Sequence, residues 1–217
     1  MIRRVLQWLF PEKCVLCRSL LGQEETDLCR CCRVRQPEYP MGKKKVPHIT
    51  AMTAVWVYEG NVRKSIHRYK FSGVRHYADA YGRLLAMRIQ RDLPAADIVT
   101  WVPVSARRRR RRGYDQVELL ARAAAPELGL RAEPCLEKIR DNRANSGLKT
   151  PAERRANVLG AYRAVGQEHF RGKRVLLLDD IVTTGATASE CARVLRSAGA
   201  EEVIFAAVAA AGTTSSK

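Results

Sequence analysis

The stretch 175–187, VLLLDDIVTTGAT, decides the fold of this chain, because it joins a buried strand to a polar turn. Its first four residues are all apolar, which is typical of a central parallel strand covered on both faces. Asp179 and Asp180 follow, and then a turn that holds three threonines and Gly185. Ligands of open parallel sheets bind beyond the carboxyl ends of the strands, so this pattern predicts a binding site here.

The polar half of this stretch has the chemistry of a sugar phosphate site. A helix is predicted to begin after Gly185, and its free N–H groups and positive dipole end attract a phosphate. Glycine permits a close backbone approach, and the threonine hydroxyls add hydrogen-bond donors. Ionised carboxylates are acceptors only, so Asp179 and Asp180 suit a ligand rich in hydroxyl groups. The GxxxxGK[ST] pattern of a nucleotide P-loop is absent from the sequence.

Strands and helices alternate along most of the chain, which predicts an α/β domain with a mostly parallel sheet. The helix that begins near Thr150 carries a hydroxyl cap, a proline at the first position and a carboxylate at the third. We predict strands at 54–58, 97–104, 131–138, 174–179 and 201–210, and the other helices at 61–71, 77–93, 115–129 and 186–199.

Composition places the chain among basic proteins with one sizeable core. The 217 residues are 46% hydrophobic and carry a net charge of +17. Such a surplus indicates a polyanionic partner, or reflects only an arginine-rich but otherwise ordinary basic protein. Apolar runs fall short of the roughly 18–20 residues of a membrane span. The N-terminus, MIRRVLQWLFPEK, predicts a short amphipathic helix and no export signal, so we expect a cytoplasmic protein.

A cysteine module lies near the N-terminus, where five of the seven cysteines fall within residues 14–32. Two Cys-x-x-Cys pairs separated by eleven residues can place four thiolates tetrahedrally about one Zn²⁺. Cys31 is left as a spare, because it breaks the spacing. Clusters of this kind in a reducing compartment bind metal more often than they form disulfides; a redox pair or an iron–sulfur cluster is the alternative. We predict that structural Zn²⁺ is held by Cys14, Cys17, Cys29 and Cys32.

The stretch 175–187 resembles the signature of the type I phosphoribosyltransferases at every position. In that family the two acids hold the ribose hydroxyls of phosphoribosyl pyrophosphate, which binds with Mg²⁺, and the threonine-rich turn holds the 5′-phosphate. The resemblance implies that Asp179 and Asp180 are the catalytic acids and bind the ribose. The implied phosphate ligands are Thr183, Thr184, Gly185, Ala186 and Thr187.

The segment VPVSARRRRRRGYDQVELLAR, residues 102–122, lies where these enzymes hold pyrophosphate. The resemblance adds Val104, Arg111 and Arg112 to the ligand site. Six consecutive arginines repel one another, so they splay outward or meet an anion. That anion is pyrophosphate or a nucleic acid; a nuclear signal and a solvated surface are the other interpretations.

Residues 138–162 lie where the same enzymes have a mobile loop that closes over the pyrophosphoryl group. Such a loop excludes water and positions the leaving group. The candidate clamps are Arg140, Arg143 and Lys149, and a flexible surface loop is the alternative.

The order of these motifs along the chain resembles the ComF family, also called ComFC-like or GntX-like proteins. Members of this family are implicated in DNA uptake during natural transformation. The changes of composition and pattern along the chain predict five regions: an amphipathic lead-in helix at 1–12, a zinc-binding module at 13–35, a linker at 36–52, a phosphoribosyltransferase-like domain at 53–211 and a flexible tail at 212–217.

Three hypotheses of function follow from these features. The first is an enzyme that transfers a ribosyl group from phosphoribosyl pyrophosphate to an acceptor that the sequence does not name. The second is a non-catalytic accessory protein that binds single-stranded DNA or another nucleic acid and keeps the fold for ligand binding. The third is a regulator that senses the ligand. Competence-machinery proteins are possible partners of the first two.

Overall fold

The computed structural model describes residues 11–42, 44–71, 76–142 and 150–212. The predicted lead-in helix and flexible tail fall almost wholly on 1–10 and 213–217, which lie outside the described residues. Within the described ranges, no helix combines the length and the apolar character of a membrane span.

A four-stranded parallel sheet forms the centre of the fold, with the strand order β1-β6-β5-β2. All three strand pairings are parallel, which confirms the predicted α/β class. A separate antiparallel pair is formed by β3 and β4. The strands are β1 Met52–Val57, β2 Ile98–Trp101, β3 Leu136–Lys138, β4 Tyr162–Ala164, β5 Arg174–Val182 and β6 Glu202–Ala210.

Helices cover both faces of the sheet. The helices are α1 Arg30–Arg35, α2 Gly60–Phe71, α3 Tyr77–Asp92, α4 Ala106–Arg112, α5 Gln116–Glu127, α6 Pro151–Val158, α7 Gln167–Phe170 and α8 Ala186–Ser197.

The core divides into two layers because side chains alternate along the central strands. Leu176 and Leu178 of β5 pack on the side of α3 and α5, whereas Val175 and Leu177 pack on the side of α8. This alternation is the period-two pattern of a strand, and burial on both faces explains the continuous apolar run.

Several predicted boundaries differ from those observed. The strand predicted at 131–138 is a single bridge at Ala132 followed by the short strand β3. The strand predicted at 97–104 is shorter, since β2 ends at Trp101 before Pro103. Helix α6 begins as predicted, with a capping box between Thr150 and Glu153.

Candidate functional site

A cleft of about 530 Å³ opens at the carboxyl end of β5. It brings together three parts of the sequence-predicted site: the acids of β5, the threonine turn, and residues from 102–112. Six cationic side chains and two carboxylates line it, so the cleft has an excess of positive charge. The charged lining residues are Lys70, Arg108, Arg111, Arg112, Lys138, Arg154, Asp179 and Asp180.

The two acids lie inside β5 and not beyond its end. Pairing with β2 stops at Leu178, whereas pairing with β6 continues to Val182. From Asp179 onward, β5 therefore has a neighbour on one side only. The open side is the crevice that the sheet offers to a ligand, as expected at a point where neighbouring strands diverge. The predicted strand end near Asp179 was thus too early by three residues.

Asp180 is almost fully buried, and its carboxylate contacts one side chain from each of two helices. Its Oδ1 lies 2.8 Å from Lys70 Nζ on α2, and its Oδ2 accepts a hydrogen bond of 3.0 Å from Gln116 Nε2 on α5. Neither partner was identified from the sequence. A carboxylate has roughly four acceptor sites, so these two contacts leave part of its acceptor capacity unused.

Asp179 differs from its neighbour in its electrostatics. Burial, together with the adjacent Asp180 carboxylate, raises the pKa of Asp179 well above its usual range. Its Oδ1 accepts a hydrogen bond of 2.8 Å from the Asp180 backbone N–H. Two adjacent carboxylates with different environments are the arrangement in which one of them stays protonated until a ligand or cation arrives.

The threonine turn leads from β5 into α8, so that the first turn of this 12-residue helix faces the cleft. Gly185 lies at the turn with φ 84°, a left-handed conformation that favours glycine. A Cβ at this position would meet Val46 Cγ2 at 2.8 Å. A larger residue at position 185 would therefore collide with Val46 of the predicted linker, and this favours glycine here independently of any ligand.

The arginine run forms the helix α4, which Ser105 caps and Gly113 ends with φ 77°. Residues three and four apart share one face of a helix, so the run divides into two sets. Arg108, Arg111 and Arg112 line the cleft. The other three are outside the cleft lining: Arg107 pairs with Asp141 at 2.6 Å, Arg109 approaches Glu118 at 3.7 Å, and Arg110 is exposed.

Arg112 is the cleft arginine with the most defined environment. Its Nη1 donates a hydrogen bond of 2.7 Å to Gln116 Oε1, and its guanidinium lies 4.9 Å from the centre of the Phe71 ring. Its Nε is buried and has no hydrogen-bond partner among the described residues. Since Gln116 also donates to Asp180, these side chains form one chain of contacts from α4 to β5.

Two predicted ligand residues, Val104 and Arg140, donate hydrogen bonds to other groups of the protein. Val104 lines the cleft, but its backbone N–H donates to Asp115 Oδ2 at 2.9 Å. Arg140 is not among the residues that line the cleft, and its Nη2 donates to the Leu159 carbonyl at 2.7 Å. Arg143 and Lys149 lie outside the described residues.

Lys138 is a cleft residue that the sequence did not single out. It ends β3, and its Nζ lies 3.2 Å from the Tyr162 hydroxyl. Burial, and after it the nearby charge of Arg108, lowers the pKa of Lys138 to about 8. The sequence did contain a signal for it, because Lys138 is the first residue of the predicted mobile loop at 138–162. The candidate clamps named in that loop were the later residues Arg140, Arg143 and Lys149.

The two Cys-x-x-Cys pairs come together as predicted. The Sγ atoms of the four cysteines all lie within 4.8 Å of one another. Sulfurs about 2.3 Å from a tetrahedral Zn²⁺ would be about 3.8 Å apart, so this group of thiols fits the ion. Cys31 is exposed and outside the group. The four residues that could hold a metal ion are Cys14, Cys17, Cys29 and Cys32.

The cysteine module packs against α2 of the sheet domain. The carbonyl of Val15, between the first two cysteines, accepts hydrogen bonds from Ser65 Oγ and Arg68 Nη2. Arg68 also donates to the Leu16 carbonyl at 2.6 Å. The module and the helix that carries Lys70 therefore form one packed unit.

Comparison with known proteins identifies the class of the sheet domain. Residues 118–217 match the phosphoribosyl transferase domain family. This range includes β5, both acids and the threonine turn, so the part of the chain that forms the cleft's acids and turn is similar to a phosphoribosyl transferase domain.

The chain is also similar to curated bacterial proteins over most of its length. It is 29% identical to DNA utilization protein YhgH of Salmonella typhi, covering 89% of this chain and 94% of the relative. It is 26% identical to competence protein F of Haemophilus influenzae, covering 89% and 95%. Competence protein ComFC of Streptococcus pneumoniae is 33% identical over 69% of this chain and 64% of the relative. The resemblance to the ComF family is thus confirmed by relatives that carry competence and DNA-utilization names.

Proposed function

We propose that the cleft binds phosphoribosyl pyrophosphate together with Mg²⁺, and that the chain acts in the cytoplasm in DNA uptake during natural transformation. One observation carries the ligand: paired acids, a helix N-terminus and a set of cations all meet in one cleft. A ligand with ribose hydroxyls, a monophosphate and a diphosphate has a matching group for each of these parts.

Each part of the cleft has a defined task in this proposal. Asp179 and Asp180 accept hydrogen bonds from the ribose hydroxyls, and the 5′-phosphate lies against the turn and the first N–H groups of α8. The diphosphate faces Arg108, Arg111 and Arg112, whose forked guanidinium groups suit bidentate phosphate contacts. Lys138 lines the same cleft and adds a further charge.

This arrangement supports transfer of the ribosyl group to an acceptor. As the bond between ribose C1 and the diphosphate oxygen breaks, its electron pair leaves with pyrophosphate. The arginines and Lys138 stabilise that negative charge because they are held in place before it develops. Mg²⁺, when bound, would neutralise part of the same charge.

Isothermal calorimetry with phosphoribosyl pyrophosphate and Mg²⁺ tests the proposal. The wild type should bind, and Asp179→Asn/Asp180→Asn should weaken binding at least about tenfold, since two acceptors for charged hydrogen bonds are lost. Glu168→Gln removes a surface carboxylate outside the cleft and serves as the control. A wild type that gives no heat of binding would exclude this ligand.

The role in DNA uptake rests on the relatives and on charge. Relatives named for competence and DNA utilization match the chain along nearly all of its length. The net charge of +17 and the outer arginines of α4 favour a polyanion as partner. Replacing the chromosomal gene by the Asp179→Asn/Asp180→Asn variant should lower transformation frequency if ligand binding is needed for uptake.

A non-catalytic nucleic-acid-binding protein is the second candidate, and one observation favours it. Arg110 is exposed and does not line the cleft, so it is available to a strand while Arg108, Arg111 and Arg112 hold the small ligand. Binding of single-stranded DNA should weaken steeply with salt, because each phosphate contact releases counterions. DNA binding without pyrophosphate release over a broad panel of acceptors would favour this candidate over the enzyme.

The cysteine module is proposed to hold structural Zn²⁺. All four ligand positions are supplied by the chain, whereas a catalytic zinc keeps one position open. The thiolates would be held next to α2, where the metal stabilises the packing of the module and takes no part in ribosyl transfer.

A further inference from the structure

Phe71 is a large apolar side chain that the core does not use. It ends α2 with 53% of its surface exposed, yet it lies in the lining of the cleft. His67 is one turn earlier on the same helix face, and its ring centre is 4.6 Å from that of Phe71. On another side, the Arg112 guanidinium lies 4.9 Å from the ring centre. We call His67, Phe71 and Arg112 the aromatic shelf.

The shelf is held in place by contacts that do not cover it. The ring contact with His67 and the cation–π contact with Arg112 restrain the Phe71 side chain before any ligand binds. Lys70, the residue before Phe71, is tied to Asp180 and anchors the end of the helix. More than half of the ring nevertheless remains open to solvent. A restrained, exposed ring at the edge of a charged cleft is a surface for a flat partner.

We propose that the aromatic shelf stacks an unpaired base of single-stranded DNA. Every base has a π-face, and stacking on an aromatic side chain combined with cations that follow the backbone is how sequence-tolerant binding of single strands is achieved. The charge around the shelf fits this occupant, since Lys70, Arg111 and Arg112 line the same cleft. The proposal rests on the nucleic-acid part of the proposed function and adds the residues that recognise the base.

Two strands of equal length separate base stacking from phosphate attraction. One is a dye-labelled twelve-nucleotide oligothymidine, and the other carries abasic sites at all positions but the same phosphates. Fluorescence anisotropy should show that the wild type binds the strand with bases about tenfold more tightly, a modest value for one stacked base. Phe71→Leu should lose this preference and bind the abasic strand as the wild type does. Phe71→Trp should restore it.

Matched controls keep the result specific to the shelf. Met87→Ala removes another exposed apolar side chain, on α3, and should leave the preference unchanged. Calorimetry of Phe71→Leu with phosphoribosyl pyrophosphate measures the small-ligand site separately, so failure of that site would not be mistaken for failure of the shelf. Equal binding of the two strands by the wild type overturns the proposal, as does a preference that survives in Phe71→Leu.

Discussion

Lys70 Nζ lies 2.8 Å from Asp180 Oδ1, and the two side chains are only 21% and 5% exposed. This ion pair joins the end of α2 to the open side of β5. The same helix binds the carbonyl of Val15 in the cysteine module through Ser65 and Arg68. A single helix therefore connects the cysteine module to a carboxylate of the cleft.

We expect the Lys70–Asp180 pair to be strongly coupled. Lys70→Met should destabilise the fold by about 2 kcal/mol, since it leaves a buried carboxylate without its cation. Lys70→Met/Asp180→Asn should lose less than the sum of the single variants, with a coupling of about 1–2 kcal/mol. Urea unfolding of the four proteins measures this. Additive losses would mean that the contact contributes nothing.

Loss of the metal should weaken binding of phosphoribosyl pyrophosphate in the cleft, because α2 contacts both the cysteine module and Asp180. Cys17→Ser should lose one Zn²⁺ per chain, measured by mass spectrometry of the native protein, and should bind phosphoribosyl pyrophosphate several-fold more weakly. Cys31→Ser is the matched control, because Cys31 is exposed and outside the four-thiol group. A zinc-free protein with unchanged ligand affinity would show that the module and the cleft are independent.

Asp179 should lower the stability of the fold at neutral pH. Its pKa is raised by burial and by Asp180, so the folded protein holds the proton more tightly than the unfolded chain. The contribution of Asp179 to stability is then most favourable at low pH and falls as the pH rises from about 4 through its folded-state pKa. Asp179→Asn carries no such charge and should be more stable than the wild type by about 1 kcal/mol or more at about pH 8. The difference in unfolding free energy between the two proteins should vanish at about pH 4.

Urea unfolding at a series of pH values checks this prediction. Glu168→Gln, which removes an exposed carboxylate, should show no comparable gain. An Asp179→Asn protein that is less stable than the wild type at every pH would contradict the assigned cause, because burial and repulsion would then not dominate.

Lys138 should make the binding of anions depend on pH. Its pKa of about 8 means that the free cleft loses this charge in mildly alkaline solution. Affinity for inorganic pyrophosphate should fall several-fold between about pH 7.5 and 9.5, because Lys138 loses its positive charge over this range. Lys138→Met should bind weakly at both values, whereas Lys173→Met, on an exposed loop, should follow the wild type. An equally steep decline in Lys138→Met would assign the titration to another group.

Arg108 and Arg110 of α4 should act on different ligands. Arg108→Gln, on the cleft side, should weaken binding of phosphoribosyl pyrophosphate about tenfold or more, because a charged contact to the diphosphate is lost. Arg110→Gln, on the outer side, should leave that affinity unchanged and reduce the salt dependence of binding to single-stranded DNA. Each variant is the control for the other. Similar effects of both on both ligands would contradict the separation of the two faces.

Local sequence patterns were sufficient for much of the fold. The continuous apolar run of β5, the capping box at Thr150 and the cap at Asp115 are local signals, and the structure has each of these elements. The four thiols of the module were also predictable, because Cys-x-x-Cys spacing brings two sulfurs together at each knuckle. The helix at Ala106–Arg112 was not predicted, since six like charges conceal the Ser105 cap and the glycine that ends it.

The amino-acid sequence by itself determined which groups the site contains: the acids, the threonine turn and the arginines lie in short motifs whose chemistry is readable in order. Only the tertiary structure decided what faces them. Lys70 and Gln116 reach Asp180 from helices that are 110 and 64 residues away in sequence. Such contacts depend on how helices pack across a sheet, and no local pattern encodes that distance. For the same reason, the aromatic shelf and the sorting of the arginines became visible only when α2, α4 and β5 met at one cleft.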